Sequence, residues 1–320
     1  MQMLLAVLLA VTPQATVYQL ERLPATFEGL LISNRGEVAG TVYQDNKSLP
    51  AIWRAGVLRH PEQRLTRQFT NGRCVEVPNR VQPQGVIHRI DGEGNAYGFI
   101  HAQTSRQGES YQQAAVWWRG TLYVIDSRNP GDRHYADGWE ATFFHFNGHG
   151  QGAGTYMSAR ERRLLFSFDQ RSEQVQFFRA LDQFETPVRV LPNGTIITTY
   201  RKVSALGVEL ESIVKPRALW EERIVAADDK ENILTTHRLR WQGEWKPLTN
   251  DPTSTRARSM NSRGLVVGAF RERATLWHDG HRVDLHEALP RGTKRSEAFD
   301  INDAGQIVIL FDGGRAVLTP

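Results

Sequence analysis

Two histidines, His145 and His149, flank Asn147, and a polar, aromatic stretch precedes them with Asp132, His134, Tyr135, Asp137, Trp139 and Glu140. Imidazoles four residues apart can ligate a transition metal when a rigid element holds them, but on a loop that spacing is a weak metal signal. His134, Tyr135, Trp139, His145 and His149 are better read as a recognition surface, because long loops on a regular scaffold carry binding residues. Whether a metal is bound is left open. The segment Asp91-Gly-Glu-Gly-Asn95 is rich in oxygen ligands of the kind Ca²⁺ takes. The same phrase recurs without acids at Ser33-Asn-Arg-Gly36, so turn formation is the reading that covers every copy. Gly-x-Ser-x-Gly, Gly-x-x-x-x-Gly-Lys and His-Glu-x-x-His are all absent. An enzyme would therefore have to assemble its carboxylates and histidines from separate parts of the chain. No cofactor is expected.

The elements that must position these residues come from a repeat. Asn or Asp, two variable residues, Gly and a small-apolar run return as Ser33-Asn-Arg-Gly36, Asp91-Gly-Glu-Gly94, Asn147-Gly-His-Gly150, Asn261-Ser-Arg-Gly264 and Asn302-Asp-Ala-Gly305. Leu191-Pro-Asn-Gly194 and Asp228-Asp-Lys-Glu231 are weaker copies, which makes seven. The first residue can bond its own backbone and the Gly supplies a left-handed turn residue. A second phrase follows in most units, an apolar pair ending in Trp and then a Gly turn: Ala51-Ile-Trp53, Ala115-Val-Trp117, Leu239-Arg-Trp241 and Leu276-Trp277. Another short extended segment comes after it, so one unit reads as four strands. The small residues let adjacent sheets approach and the Trp fills the wedge between them. Four-stranded sheets repeated about an axis make a β-propeller, and no capped helical periodicity competes with that reading. The expected fold is all-β, a single propeller of seven four-stranded blades over residues 16–320.

The last unit stops after a third extended segment, Arg315-Ala-Val-Leu318. Residues 16–20, Thr-Val-Tyr-Gln-Leu, followed by Glu-Arg-Leu-Pro24, are similar to Arg282-Val-Asp-Leu285-His-Glu-Ala-Leu-Pro290, the fourth segment and linker of the unit before. The N-terminal strand is thus expected to complete the C-terminal blade and remove two open sheet edges.

These phrases resemble the HAF-repeat family of extracellular repeat proteins, whose units run A-x-x-I-N-x-x-G-x-V-V-G and then A-x-L-W-x-x-G. Ser296-Glu-Ala-Phe-Asp-Ile-Asn-Asp-Ala-Gly-Gln-Ile-Val308 and Ala274-Thr-Leu-Trp-His-Asp-Gly280 carry the resemblance most fully. Unit three lacks a Trp phrase, and unit four has Pro192 and a displaced Ala218-Leu-Trp220. The resemblance implies export and a propeller-like repeat; it implies no activity.

Residues 1–15, MQMLLAVLLAVTPQA, have the shape of a signal peptide; the alternative is a buried N-terminal strand. The apolar run is too short to span a bilayer and no later run is longer, so no membrane span is expected. Cys74 is the sole cysteine, which excludes an intramolecular disulfide and reads as a small buried hydrophobe. The 39 basic and 35 acidic residues are scattered rather than gathered in a stripe, so nucleic acid is not an expected partner. The expected function is an exported, periplasmic or extracellular, non-enzymatic module that holds a protein partner or an extracellular glycan with loops on one rim. A hydrolase or lyase acting on a glycan or other polymer at the propeller axis is the alternative, and a structural envelope protein a second.

Overall fold

Each copy of the repeated phrase closes the first hairpin of an antiparallel sheet. The computed structural model of the protein describes residues 18–70, 73–78, 83–103, 110–125, 141–157, 163–172, 174–179, 185–214 and 222–320. The expected signal over residues 1–15 lies outside them. Blade one contains Phe27–Ile32, Val38–Gln44, Lys47–Arg54 and Val57–Arg59, hydrogen-bonded in that order from the axis outward. Blades two to seven begin with Gly85–Ile90, Ala141–Phe146, Pro187–Val190, Ile224–Ala227, Thr255–Met260 and Ser296–Ile301. Each first strand touches the first strands of both neighbours, so seven blades ring an axis as expected. No helix among the described residues is long and apolar enough to cross a membrane.

Blade seven is completed from the other end of the chain. Gln19–Arg22 pairs antiparallel with Gly314–Thr319, from Gln19 opposite Thr319 to Arg22 opposite Ala316. The closing strand thus runs two residues past the segment read from sequence. Tyr18 and Leu20 pack on the core of this blade, which includes Ile307, Ile309, Phe311 and Leu318.

At each turn the first residue's N–H donates to the carbonyl of the fifth, and the fourth residue's N–H returns to the carbonyl of the first. In five blades the side chain of Ser33, Asp91, Asn147, Asp228 or Asn261 also accepts from the N–H groups two and four residues on. That is ordinary Asx- and Ser-turn chemistry, and it accounts for the acids of the Asp91 segment without a cation. The fourth residue is left-handed in every blade; in blade five it is Glu231, at φ 62°, where six others have Gly. Its carboxylate offsets the strain by meeting Lys202 of blade four at 2.7 Å.

Every first strand carries a one-residue register shift, at Leu30, His88, Phe144, Val188, Val225, Arg258 and Phe299. Such a bulge bends the strand and re-aims the residue that follows. Opposite the shift, blades one, two, three and six place Gly40, Gly98, Gly154 and Gly268. A Cβ there would lie 2.0–2.2 Å from a carbonyl oxygen of the first strand, which is why these four blades carry a second glycine, whereas blade seven has Ile309 at the position.

Blades four and five solve the same position differently. Thr198 and Thr235 stand there, donating to Glu185 at 2.7 Å and Glu222 at 2.6 Å. Each carboxylate is also held by an arginine, Arg201 or Arg238. All three members recur 37 residues apart, so these two blades share a unit of their own. Burial alone would raise the Glu222 pKa, but the bonds from Arg238 and Thr235 hold it below the usual carboxylate value.

The wedge residue faces the second strand two positions after the turn. Trp53, Trp117 and Trp277 fill it in blades one, two and six, opposite Val38, Ala96 and Val266. Blade three, which lacks the Trp phrase, uses Phe168 opposite Gly152. Trp241 does not occupy the wedge: Arg240 does, and Trp241 lies under Gly264 of the next blade, as Trp118 lies under Gly150.

Between blades one and two the chain forms two further strands. Leu65–Thr70 and Arg73–Val77 form a hairpin that joins the outer edge of blade two, with Leu65–Thr70 parallel to Thr121–Ile125, giving that sheet six strands. Phe69 anchors it edge-on against Phe168 of blade three at 4.9 Å, and Cys74 packs partly buried on the same aromatic cluster.

Two stability predictions follow from these contacts. Gly268→Ala is expected to cost about 3 kcal/mol in denaturant unfolding, because its Cβ meets backbone, whereas Gly280→Ala, in open space at φ 76°, is expected to cost about 1 kcal/mol. Glu185→Gln should cost about 3 kcal/mol, since Glu185 is fully buried and Arg201 is 9% exposed. Glu222→Gln should cost about 1 kcal/mol, because Arg238 is 39% exposed; equal losses would show that burial does not set the value of this unit.

Candidate functional site

The residue after each bulge turns toward the axis. In blade order these residues are Leu31, Arg89, His145, Arg189, Ala226, Ser259 and Asp300, each two positions before the first residue of a turn, and all seven line one axial cavity of about 640 Å³. The turns themselves, with Asn34, Glu93, His149, Lys230, Ser262 and Asp303, form its mouth. Chemistry is therefore written at one repeat-equivalent position, on rigid strands, with a different side chain from each blade.

His145 is 5% exposed, and its Nδ1 accepts from the Val190 N–H of the next blade at 3.1 Å. Burial, and then the charges of Arg189 and Arg89, push its pKa well below the usual histidine value. It is neutral, and with Nδ1 accepting, the proton sits on Nε2. Tyr97 packs edge-on against the imidazole at 5.8 Å, and burial raises its phenol pKa. Arg189 is bound to Asp229 of blade five at 2.8 Å. Arg89 forms no hydrogen bond or ion pair with any described residue, yet its charge acts on Tyr97, His145 and Asp300.

Asp300 is a fastener across the seam. Its Oδ2 accepts from the Ile32 N–H of blade one at 2.9 Å, and its Oδ1 accepts from Ser259 of blade six at 2.5 Å and from the Ile301 N–H at 3.0 Å. Burial raises its pKa, partly countered by those donors and by Arg89. Asp303 repeats the bridge nearer the mouth, accepting from Asn34 at 2.8 Å and from Ser262 at 2.7 and 2.9 Å.

Of the residues expected from sequence, His145 and His149 do line one cavity, but not as a pair on a loop. His145 lies on the first strand of blade three, and His149 is exposed in the turn. His134, Tyr135 and Trp139 lie outside the described residues. The strands on either side of them, Thr121–Ile125 and Ala141–Phe146, end and begin at the rim opposite the turns. Among the described residues no group of three or more His, Cys, Asp or Glu side chains could hold a metal ion. No family model and no curated protein matches the chain. Sequence reading missed Arg89, Arg189, Ser259 and Asp300; aligning the seven turns and reading the column two residues upstream would have found them.

The neutrality of His145 has a measurable sign. Below pH 6.5, the ordinary histidine value, the unfolded chain takes up a proton that the folded protein refuses, so this site lowers stability as pH falls. The loss is about 1.4 kcal/mol per pH unit until the depressed native pKa is reached. In His145→Asn, which keeps an acceptor for the Val190 N–H, the decline in unfolding free energy from pH 6.5 to 5.5 should shrink by about 1 kcal/mol, since the unfolded histidine is already half protonated at pH 6.5. An unchanged slope would show that His145 is not held neutral.

Proposed function

We propose that this protein is an exported binding module of the HAF-repeat type, which holds a protein partner over the mouth of its axial cavity. One observation carries this reading: seven rigid turns surround a mouth whose floor presents different charged and polar side chains from separate blades. A fixed ring of dissimilar groups provides specificity without reorganisation on binding, and the fold is compatible with protein-binding modules. The turns add exposed charges of both signs, including Arg35, Glu93, Lys230 and Arg263, which suit a polar interface rim. The axial-enzyme alternative draws on the same cavity but finds Asp300 with both oxygens already engaged by three donors.

Affinity capture tests the proposal, using the full-length protein expressed in its source cells and envelope and secreted extracts scored by mass spectrometry. The expected result is recovery of the protein outside the cytoplasm without residues 1–15, together with one stoichiometric partner that is reduced at least tenfold by the triple change Arg35→Glu, Lys230→Glu and Arg263→Glu. Equal recovery with the triple variant would rule out this rim, and a blank would turn attention to polymer-degradation assays.

A further inference from the structure

The axial cavity is unbalanced in a specific way: its carboxylates other than Glu93 are held by protein donors, while three of its donors meet no acceptor among the described residues. Asp300 is filled by three donors, Asp91 and Asp228 cap their own turns, Asp229 holds Arg189, and Asp303 bridges two blades. Glu93 leans over Gly148 in the next turn, where an added Cβ would meet its carboxylate at 3.0 Å. On the donor side, His145 is 5% exposed and Tyr97 is 2% exposed, and neither His145 Nε2 nor the Tyr97 hydroxyl has a hydrogen-bond partner among the described residues. Arg89, with five N–H groups and no acceptor, completes the set. Buried donors left open in a polar cavity are costly unless something supplies acceptors.

We propose that Arg89, His145 and Tyr97 form a binding site for a single carboxylate group, with the Arg89 fork as its counterion. The inference rests on the binding-module reading above and names the chemistry its partner would present. An arginine fork fits the two oxygens of a carboxylate, and the neutral imidazole and phenol each add one N–H or O–H donor. The number of charges favours a monoanion: of the two guanidiniums that first strands bring to the cavity, Arg189 is paired with Asp229 and Arg89 alone has no acceptor among the described residues, and the carboxylates about the mouth oppose a dianion such as phosphate. The same chemistry could come from a free small acid or from an acidic side chain or C-terminus of a protein partner.

The test compares two probes that differ by one carboxylate, N-acetyl-glutamate α-amide and N-acetyl-glutamine α-amide, by saturation-transfer NMR on the full-length protein. The glutamate probe is expected to bind at least tenfold more tightly than the glutamine probe. Arg89→Gln should abolish that preference and Arg89→Lys should retain part of it, while Arg119→Gln, on the face of Trp118, should leave it unchanged. Arg89 has no protein acceptor to lose, so thermal unfolding of its variants should match wild type; if a variant does not fold, the two probes on wild type decide. Equal binding of the probes, a preference that survives Arg89→Gln, or displacement by inorganic phosphate at a tenth of the glutamate probe's concentration would overturn the proposal. Release of a captured partner by the glutamate probe assigns the carboxylate to that partner. Probe binding with no partner captured keeps the site, as one for a free acid, and overturns the partner reading; a captured partner with no discrimination between probes does the reverse.

Discussion

The constraint on which the structure depends is ring closure. Seven sheets packed face to face have no free end only if the chain's two termini meet in one sheet, which Gln19–Arg22 and Gly314–Thr319 accomplish. An unclosed ring would leave a sheet edge open and one apolar face uncovered. The blades beside the seam are also the most heavily cross-linked at the turn rim. Asn302 Nδ2 donates to the Ser33 carbonyl of blade one, and Asn261 Nδ2 donates to the Asn302 carbonyl, while Asp300 and Asp303 each reach both neighbours. Polar bonding is thus concentrated where chain continuity is weakest, because blade seven alone is assembled from segments about 300 residues apart in the chain.

The bulge connects that scaffold to its chemistry. A straight first strand would alternate its side chains between the two neighbouring blades and give the axis little but backbone. The register shift re-aims one residue per blade toward the centre, and the second glycine allows the strand carbonyl to approach that closely. Where threonine replaces glycine, in blades four and five, a carboxylate and an arginine are recruited to satisfy its hydroxyl, and each blade keeps its axial residue. The scaffold residues and the axial residues therefore vary independently, and that separation lets one ring carry Arg89, His145 and Asp300 side by side with Leu31 and Ala226.

What the sequence made legible was local. The turns are stabilised by hydrogen bonds over two to four residues, so a short polar capping residue survives in every blade but the fourth, where Leu191 replaces it and Asn193 bonds the Thr195 N–H instead, and Gly survives in every blade but the fifth. The wedge was legible where Trp fills it and illegible where Phe168 does, because packing asks for volume and not for one residue type. Trp241 misled for the converse reason, since the same residue one position later serves the next blade's turn. The hairpin of residues 65–77 left no local signal, because its pairing partner lies some fifty residues on. The axial set was the least legible: His145 meets Val190 and Asp300 meets Ile32 across 45 and 268 residues, and no local phrase records either contact.

The unpaired state of Arg89 gains its meaning from the rest of the ring. Several buried charges elsewhere are held by more than one partner, as with Glu185 held by Arg201 and Thr198, or Lys202 held by Glu211 and Glu231. Ser259 and Asp300 at the axis are bonded, and even His145 has one nitrogen occupied. In the cavity at the centre, three donors have no acceptor among the described residues. Arg89 is half-buried, so its guanidinium is partly shielded from water and lacks an acceptor among those residues. A ligand that brings an acceptor to these donors gains affinity from bonds the protein does not make itself, on side chains that rigid strands already position.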